Sequence, residues 1–356
     1  MSTTLSDTAS IRHQIDTLLG DYFAKHAQAS SAIHPHYGLL WSSMQRLFHA
    51  GGKRLRPTML VLGYEAFGGK DTSQILPIAA AHELLHLSLL IHDDIIDRDD
   101  IRYGIPNVVG QYSELYRSYV TDAAERAHYA RSAALLGGDL LISAAHQLIL
   151  ESSVDDRLKL QTYRQMGTAI FEVAGGELLD TEAVFRGNDA ADIATINRHK
   201  TIGYSFIAPL VSGAQLADAP EDALEIIKSF AIALGMAFQY TDDLLGVFGD
   251  EAVTGKSNLG DIREGKRTRL MVQAYALMSD EQRTIADSVV GNPNASPGDI
   301  QHVKQILIDC GARQSVIDEI DREAEVAAEL LESLPISTEA HARFQELIIK
   351  VTKRNA

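Results

Sequence analysis

The chain has 356 residues, 46% of them hydrophobic, so it can form one large core or two ordinary ones. Its formal net charge of −16 argues against broad binding to nucleic acids or to anionic membranes. An anionic substrate would therefore have to be held by local positive charge or by metal ions.

Cysteine content and hydropathy bear on the compartment. Cys310 is the only cysteine, so an internal disulfide is impossible and a reducing compartment is expected. The first residues, MSTTLSDTASIRHQ, lack the basic and then apolar order of a signal peptide. The longest uncharged run, between Lys200 and Asp218, is too short for a membrane span. We expect a cytoplasmic protein without stable membrane insertion.

Apolar residues recur at three- and four-residue steps along nearly the whole chain, most clearly at 75–97. The same spacing recurs at 135–150, 160–180, 224–245, 268–288 and 315–333. Breaks with Gly, Pro, Asn and Asp turn chemistry fall at 50–57, 67–71, 185–192, 247–268 and 289–299. The pattern predicts an all-α protein with a single domain over residues 1–356, in which residues 1–30 form a peripheral helix.

The segment LLIHDDIIDRDDIRYG, residues 89–104, contains five aspartates between positions 93 and 100. Asp93 and Asp97 would be neighbours on one helix face, where like charges repel. His86 and Leu90 lie on the same helix face as Asp93, seven and three residues before it. The carboxylates therefore lie at the end of an otherwise apolar face, which favours their placement in a cleft rather than in solvent. The alternative is an ordinary solvated helix end.

The segment FQYTDDLLGVFGD, residues 238–250, repeats this arrangement with Asp242 and Asp243. Oxygen ligands without His or Cys suit Mg²⁺, which commonly bridges carboxylates to substrate phosphates. Metal ions would relieve the repulsion in both segments. Capping of a following turn by Asp242 or Asp243 is the alternative.

Basic residues that could bind phosphate occur in four stretches. They are Lys53, Arg54 and Arg56 in GGKRLRP, Arg102, Lys200 before Thr201, and Lys256, Lys266 and Arg267 after the second aspartate pair. Each stretch alone is weak evidence, because surface Lys and Arg are usually solvated, and GGKRLRP does not have P-loop spacing. Their presence beside two aspartate pairs indicates a diphosphate substrate.

Seven motifs in this order, over roughly residues 40–270, resemble the trans-isoprenyl diphosphate synthases, the polyprenyl synthetase family. They are GGKRLRP, ELLHLSLLIHDDIID, LLGGDLL, GGELLD, HKTIGYSFIAPL, FQYTDDLLGVFGD and TGKSNLGDIREGKRT. The resemblance implies an all-α isoprenoid synthase bundle around a deep central cavity, usually a homodimer. It implies condensation of isopentenyl diphosphate with dimethylallyl, geranyl or farnesyl diphosphate, with release of diphosphate.

The resemblance also assigns roles to residues at the motif positions. The isopentenyl diphosphate headgroup would be bound by Lys53, Arg56 and His86. Three Mg²⁺ ions would be bound by Asp93, Asp97 and, across the cavity, Asp242, with support from Asp94 and Asp243. The allylic diphosphate would meet Arg102, Lys200 and Lys266, with Lys256 close by. Thr201, Phe238 and Gln239 would lie near the reacting allylic carbons.

In this family the residues four and five positions before the first motif gate the floor of the pocket. Here they are Leu89 and Ser88, and neither is aromatic. We therefore expect a product of about twenty carbons or longer, with geranylgeranyl diphosphate as the single best candidate. A Ser88→Phe change should shorten the product.

Three positions depart from the family pattern. Tyr103 replaces an arginine expected to contact isopentenyl diphosphate, Gly246 replaces the last aspartate of the second motif, and Glu177 replaces a common glutamine. Two other functions remain open. A single-substrate terpene cyclase would have no use for GGKRLRP and His86, and a non-catalytic regulatory subunit would not need the leading aspartates of both motifs.

Overall fold

The computed structural model describes residues 5–186, 190–249 and 258–353. Across these ranges nearly all regular structure is helical, which confirms the predicted all-α class. The chain divides into two compact units. Unit 1 comprises Met1–Arg164 and Ser212–Ala217, and unit 2 comprises Gln165–Val211 and Asp218–Ala356. The single domain over residues 1–356 stays a prediction.

Unit 1 is built around α4, which packs along α6 and against α3. Its helices are α1 (Thr8–Ile33), α2 (Pro35–Ala50), α3 (Leu55–Ala66), α4 (Leu76–Ile96), α5 (Val108–Leu115), α6 (Ala123–Glu151) and the first part of α7 (Asp156–Arg186), with a short 3₁₀ turn at Thr72–Gln74. α4 is apolar on most of its circumference, as expected for a helix covered on several sides. α1, expected at the periphery, buries Ile15, Leu19 and Phe23 completely and packs against α2.

Unit 2 is built around α10, which packs against α15 and a π-helical segment. Its elements are the rest of α7, α8 (Ala190–Ile196), the π-helical segment Asn197–Ile207, the start of α9 (Ala208–Leu216), α10 (Glu221–Phe248), α11 (Gly260–Glu264), α12 (Arg269–Leu277), α13 (Asp280–Val289), α14 (Pro297–Asp309), α15 (Ala312–Glu332) and α16 (Thr338–Thr352). The predicted helical stretch 268–288 is two helices. The chain leaves the helix at Met278, and Ser279 and Gln282 form a capping box that starts α13.

Unit 1 contains a small hairpin that the sequence pattern did not predict. Strands β1 (Ile101–Arg102) and β2 (Ile105–Pro106) pair antiparallel between α4 and α5. The two residues between them, Tyr103 and Gly104, have φ values of 53° and 74°, the signs that a tight hairpin turn requires. This hairpin brings the chain back towards the end of α4.

Two helices, α6 and α10, are long and apolar enough to cross a membrane by length and composition alone. Half of the apolar window of each helix is buried in the structure. Core helices of soluble proteins meet the same criterion, so two such helices are weak evidence for a membrane span.

Candidate active site

The first acidic segment ends α4 and continues towards the hairpin. Asp93 and Asp94 lie in the last turn of α4, and Asp97 is the residue at which the helix ends. Arg102, in the first strand of the hairpin, reaches this helix end. Its Nε donates to Asp94 Oδ1 at 2.7 Å and its Nη2 donates to Asp93 Oδ2 at 3.1 Å. Arg102 is thus one cation that relieves the repulsion among the aspartates.

The neighbouring carboxylates of this segment have different surroundings. Asp94 is buried, and its Oδ2 has no hydrogen-bond partner among the described residues, whereas a quarter of the Asp93 side chain is exposed. Burial raises the pKa of Asp94 to about 6, although Arg102 opposes the shift. A divalent cation nearby would favour the ionised form of such a group.

The segment GGKRLRP connects α2 to α3. Lys53 is exposed in the loop, and Arg56 is partly buried in the first turn of α3. His86 lies on α4, where burial and the nearby charge of Arg56, and more weakly those of Arg102 and Arg54, hold the pKa of the imidazole well below its usual value. A neutral imidazole keeps one N–H that can be donated to an anion.

The two residues predicted to set product length have different surroundings within unit 1. Ser88 is fully buried, and its Oγ donates to the carbonyl of Gly138 on α6 at 2.8 Å. Leu89 is only partly buried. A side chain at Gly138 would collide with the ring of His92 on α4. The motif LLGGDLL therefore allows close packing of α6 on α4, and a phenylalanine at position 88 would have to displace α6.

In unit 2, Lys200 lies in the π-helical segment and forms ion pairs with α7. Its Nζ is 2.6 Å from Asp180 Oδ2 and 3.1 Å from Glu177 Oε2. This approach depends on Gly176, because a Cβ at that position would overlap the backbone of Lys200. The glycine of GGELLD therefore sets the distance between α7 and the π-helical segment. Glu177, which departs from the family pattern, is a charge partner of Lys200.

The residues predicted to lie near the reacting carbons occupy the π-helical segment and the facing part of α10. Thr201, Phe238 and Gln239 are all partly buried. The ring of Phe238 lies 5.2 Å from that of Phe206, a tilted aromatic pair. π-helical turns are rare and frequently mark functional sites, because they re-aim side chains relative to a regular helix.

The second aspartate pair repeats the pattern of a buried carboxylate beside a more exposed one. Asp242 is exposed on α10, and Asp243 is buried. Asp243 accepts hydrogen bonds from Gln239 Nε2 at 3.1 Å and from the backbone N–H of Arg269 at 3.0 Å. Burial raises the pKa of Asp243 to about 7 in spite of these bonds. Both oxygens of Asp243 thus have protein donors.

The missing third aspartate of the second motif has a structural consequence. A Cβ at Gly246 would collide with the carboxylate of Asp261 on α11. Asp261 therefore lies against the position where the family usually carries an aspartate. Lys266 follows α11, is half exposed, and pairs with Glu264 at 3.1 Å and with Asp261 at 3.7 Å. Lys256 lies outside the described residues.

In each unit, taken by itself, the acidic side chains are of the kind that a hard divalent cation prefers. Asp93, Asp97 and Asp242 offer carboxylate oxygens, and the buried Oδ2 of Asp94 has no described protein donor. Across residues 5–186, 190–249 and 258–353, no three His, Cys, Asp or Glu side chains form a ready-made metal cage. Mg²⁺ does not need one, because it usually keeps water ligands and is bound by one or two carboxylates plus substrate phosphates.

The sequence pattern of the polyprenyl synthetase family matches residues 38–307. The chain belongs to the polyprenyl synthetase family. It is 33% identical to a short chain isoprenyl diphosphate synthase of Methanocaldococcus jannaschii, over 75% of this chain and 76% of the relative. It is 34% identical to a geranylfarnesyl diphosphate synthase of Aeropyrum pernix, over 75% and 78% of the two chains.

Among solved structures, a geranylgeranyl pyrophosphate synthase from Corynebacterium glutamicum, complexed with isoprenyl diphosphate and magnesium, superimposes with a TM-score of 0.88. It is 30% identical, and the match covers 96% of this polyprenyl synthetase and 99% of that chain. The predicted family and enzyme class are confirmed: the protein is an isoprenyl diphosphate synthase, a prenyltransferase. Enzymes of this family use a divalent metal and take isopentenyl and allylic diphosphates as substrates.

Several side chains of this polyprenyl synthetase had no predicted partner. The link from Arg269 to Asp243 joins residues 26 positions apart, and the pairs of Lys200 with Glu177 and Asp180 join residues at least 20 apart. Local periodicity carries no signal for such pairs. Asp261 lies within the motif TGKSNLGDIREGKRT, so the sequence did indicate that this residue belongs to a functional segment.

Proposed function

We propose that this polyprenyl synthetase condenses isopentenyl diphosphate, in a 1′-4 linkage, with an allylic diphosphate and makes geranylgeranyl diphosphate. The allylic substrate is dimethylallyl, geranyl or farnesyl diphosphate, and inorganic diphosphate is released. The observation that carries the proposal is an aspartate pair that recurs near the end of an apolar helix, in which a buried aspartate follows a more exposed one, at Asp93 and Asp94 and at Asp242 and Asp243.

Asp93, Asp97 and Asp242 are the proposed ligands of three Mg²⁺ ions, and Asp94 and Asp243 support them. When bound, the ions neutralise the charge that develops on the leaving diphosphate as the allylic C–O bond ionises. Arg102, Lys200 and Lys266 add positive charge for the same diphosphate, and we include Lys256 with them. In the structure, Arg102 and Lys200 have carboxylate partners, at 2.7 Å and 2.6 Å respectively. When the diphosphate binds, each of these side chains would exchange a carboxylate partner for a phosphate partner.

Lys53, Arg56 and His86 are the proposed binders of the isopentenyl diphosphate headgroup. The double bond of that substrate attacks the allylic cation, and the departing diphosphate takes up the released proton. Apolar surroundings protect the cation from water, and Thr201, Phe238 and Gln239 are the proposed neighbours of the reacting carbons. The ring pair of Phe206 and Phe238 supports this assignment.

The proposed product length rests on Leu89 and Ser88, which place no aromatic ring before the first motif. Because Ser88 is fully buried and bonded to Gly138, Leu89 is the better position at which to add a ring. Leu89→Phe should shorten the product while the enzyme stays folded. Leu89→Met, which keeps a flexible side chain of similar volume, is the matched control.

The deciding experiment is chromatography of products formed by the purified chain with Mg²⁺, isopentenyl diphosphate and each primer. We expect geranylgeranyl diphosphate from farnesyl diphosphate. Asp93→Asn and Asp242→Asn should each lower kcat by about 10²–10³-fold, because charge stabilisation of the leaving group is lost. A cyclic product from an allylic diphosphate alone, or no turnover of the single chain, would contradict the proposal.

We further propose a homodimer in the cytoplasm. Support for the dimer comes from unit 1, where Leu135, Leu136 and Leu150 on α6 and Leu160 on α7 are at least half exposed. Exposed leucines on consecutive helices are typical of a surface that a second chain covers.

A further inference from the structure

Arg54 is a buried arginine in the centre of GGKRLRP, and the proposed reaction gives it no role. It is 4% exposed, although it lies between the exposed Lys53 and the partly buried Arg56. It precedes α3 with a left-handed backbone, φ 50° and ψ 39°. A residue other than glycine rarely adopts this conformation, so surrounding contacts must hold it there.

All three nitrogen atoms of the Arg54 side chain donate hydrogen bonds within unit 1. Nε donates to Asp16 Oδ1 at 2.6 Å, and Nη2 donates to the carbonyl of Phe48 at 3.0 Å. Nη1 donates to the carbonyl of Gly51 at 2.8 Å and to Glu83 Oε1 at 3.2 Å. The guanidinium carbon lies 4.0 Å from the centre of the Phe48 ring. A guanidinium with these partners is not available to a substrate phosphate.

The two glycines of GGKRLRP make room for this arrangement. Gly52 has φ 102°, and a side chain there would collide with Nη1 of Arg54. A Cβ on Gly51 would lie 2.7 Å from the ring of Tyr103. The loop is therefore packed against a guanidinium at one glycine and against an aromatic ring at the other. Tyr103, which departs from the family pattern, helps to fix this loop.

The contact with Glu83 links the loop to the helix that carries His86. Glu83 is 3% exposed and lies on α4, one turn before His86. Lys53 and Arg56 come from the loop and α3, so their geometry relative to His86 depends on what joins these elements. The ion pair of Arg54 with Glu83 makes that connection at 3.2 Å.

We infer that Arg54, together with Glu83, is a positioning residue for the isopentenyl diphosphate headgroup. It holds Lys53 and Arg56 in a fixed relation to His86 and does not touch the substrate. The inference rests on the proposed function, in which these three side chains bind that headgroup. Its consequence is selective: loss of the link weakens the isopentenyl diphosphate site and leaves the allylic site nearly unchanged.

Steady-state kinetics of Arg54→Lys and Glu83→Gln test the inference, with each substrate varied in turn. Lysine keeps the charge but cannot make the forked contacts, and glutamine keeps the shape of Glu83 without its charge. We expect KM for isopentenyl diphosphate to rise about tenfold or more, while kcat and KM for farnesyl diphosphate change less than about threefold. Glu83→Gln also serves if Arg54→Lys does not fold.

Leu19→Ala is the matched control, because it removes a fully buried side chain of α1 and changes neither Arg54 nor any of its hydrogen-bond partners. Thermal unfolding of all variants reports the loss of stability separately. If KM for isopentenyl diphosphate rises no more than in Leu19→Ala, or if both KM values rise together, Arg54 is only structural and the inference is refuted. If the unmodified protein makes no product from isopentenyl diphosphate, the proposed function itself has failed.

Discussion

Within each aspartate pair, adjacent residues have different surroundings because consecutive positions on a helix point about 100° apart. Asp93 is partly exposed and Asp242 is exposed, whereas Asp94 and Asp243 are buried with protein donors at 2.7 Å and at 3.0–3.1 Å. The more exposed carboxylate is the one that a cation from solvent can reach. The inward one fixes the helix end through Arg102 in unit 1 and through the start of α12 in unit 2.

Gly246 provides a test of this arrangement at the scale of one residue. Restoring the family aspartate with Gly246→Asp should lower activity, because the new Cβ collides with the carboxylate of Asp261 and adds a like charge. We expect kcat to fall about tenfold or more, measured as product release at saturating Mg²⁺.

Two controls separate the causes in this experiment. Gly246→Ala brings the collision without the charge, so it should be less harmful than Gly246→Asp. The double variant Gly246→Asp with Asp261→Gly removes the collision partner and should regain part of the lost activity. Activity at or above that of the unmodified protein in Gly246→Asp would show that Asp261 does not exclude a side chain at this position.

At the scale of helices, two adjacent glycines of α7 have opposite surroundings. A Cβ at Gly176 would overlap the backbone of Lys200, whereas a Cβ at Gly175 meets nothing within 4 Å. Gly176→Ala should therefore destabilise the protein by about 1–3 kcal/mol and separate Lys200 from Glu177. Gly175→Ala, the matched control, should be neutral or stabilising by up to about 1 kcal/mol, because alanine favours helix. Denaturant unfolding measures both, and equal effects would refute the packing role.

A second contact between helices predicts a dependence of stability on pH. Arg269, at the start of α12, donates to Glu319 on α15 through Nε at 2.8 Å and Nη2 at 2.6 Å. Burial is the largest single effect and raises the pKa of Glu319, but the bonds and charge of Arg269, together with the bond from Gln273 and the charge of Arg322, hold the pKa below its usual value. The stabilisation is therefore complete above the unfolded pKa of about 4.5 and is lost as pH falls through the folded value.

Arg269→Met tests this pH dependence. Near pH 7 the variant should lose about 1.5–3 kcal/mol, the range for hydrogen bonds to a charged group. The loss should shrink as the pH falls through the lowered pKa of Glu319, because the side chain is then protonated in both proteins. Urea unfolding from pH 3 to pH 7 measures the difference. If Arg269→Met lost the same free energy of unfolding at every pH, the ion pair with Glu319 would not be the source of the loss.

At the scale of the whole molecule, the exposed leucines of α6 and α7 predict association. Light scattering should find a dimer at micromolar concentration, and Leu136→Glu with Leu150→Glu should raise the dissociation constant about 100-fold or more, since charges would be buried at the contact. Ile308→Glu, at an exposed isoleucine of α14, is the control and should stay dimeric. A monomeric parent protein would contradict the proposed homodimer.

Local sequence information predicted the longest helices and the family. Periodicity located α4, α6, α7 and α10, because the spacing of apolar residues along a helix is a local property. The seven motifs then gave the family and, through the resemblance, the candidate site residues. The hairpin after α4 escaped prediction, because two-residue strands have no period to detect and its turn uses Tyr103 rather than the usual Asn or Asp.

The sequence by itself determined the helical class, the enzyme family and the acidic and basic positions, since each is carried by residue type and short-range spacing. Only the tertiary structure decided which of these charges are buried and which other charges they meet. It paired Arg54 with Glu83, Lys200 with Glu177, and Arg269 with Glu319, across separations of 23 to 50 residues. Such pairs depend on how helices pack, and packing is fixed by the whole core rather than by any one segment.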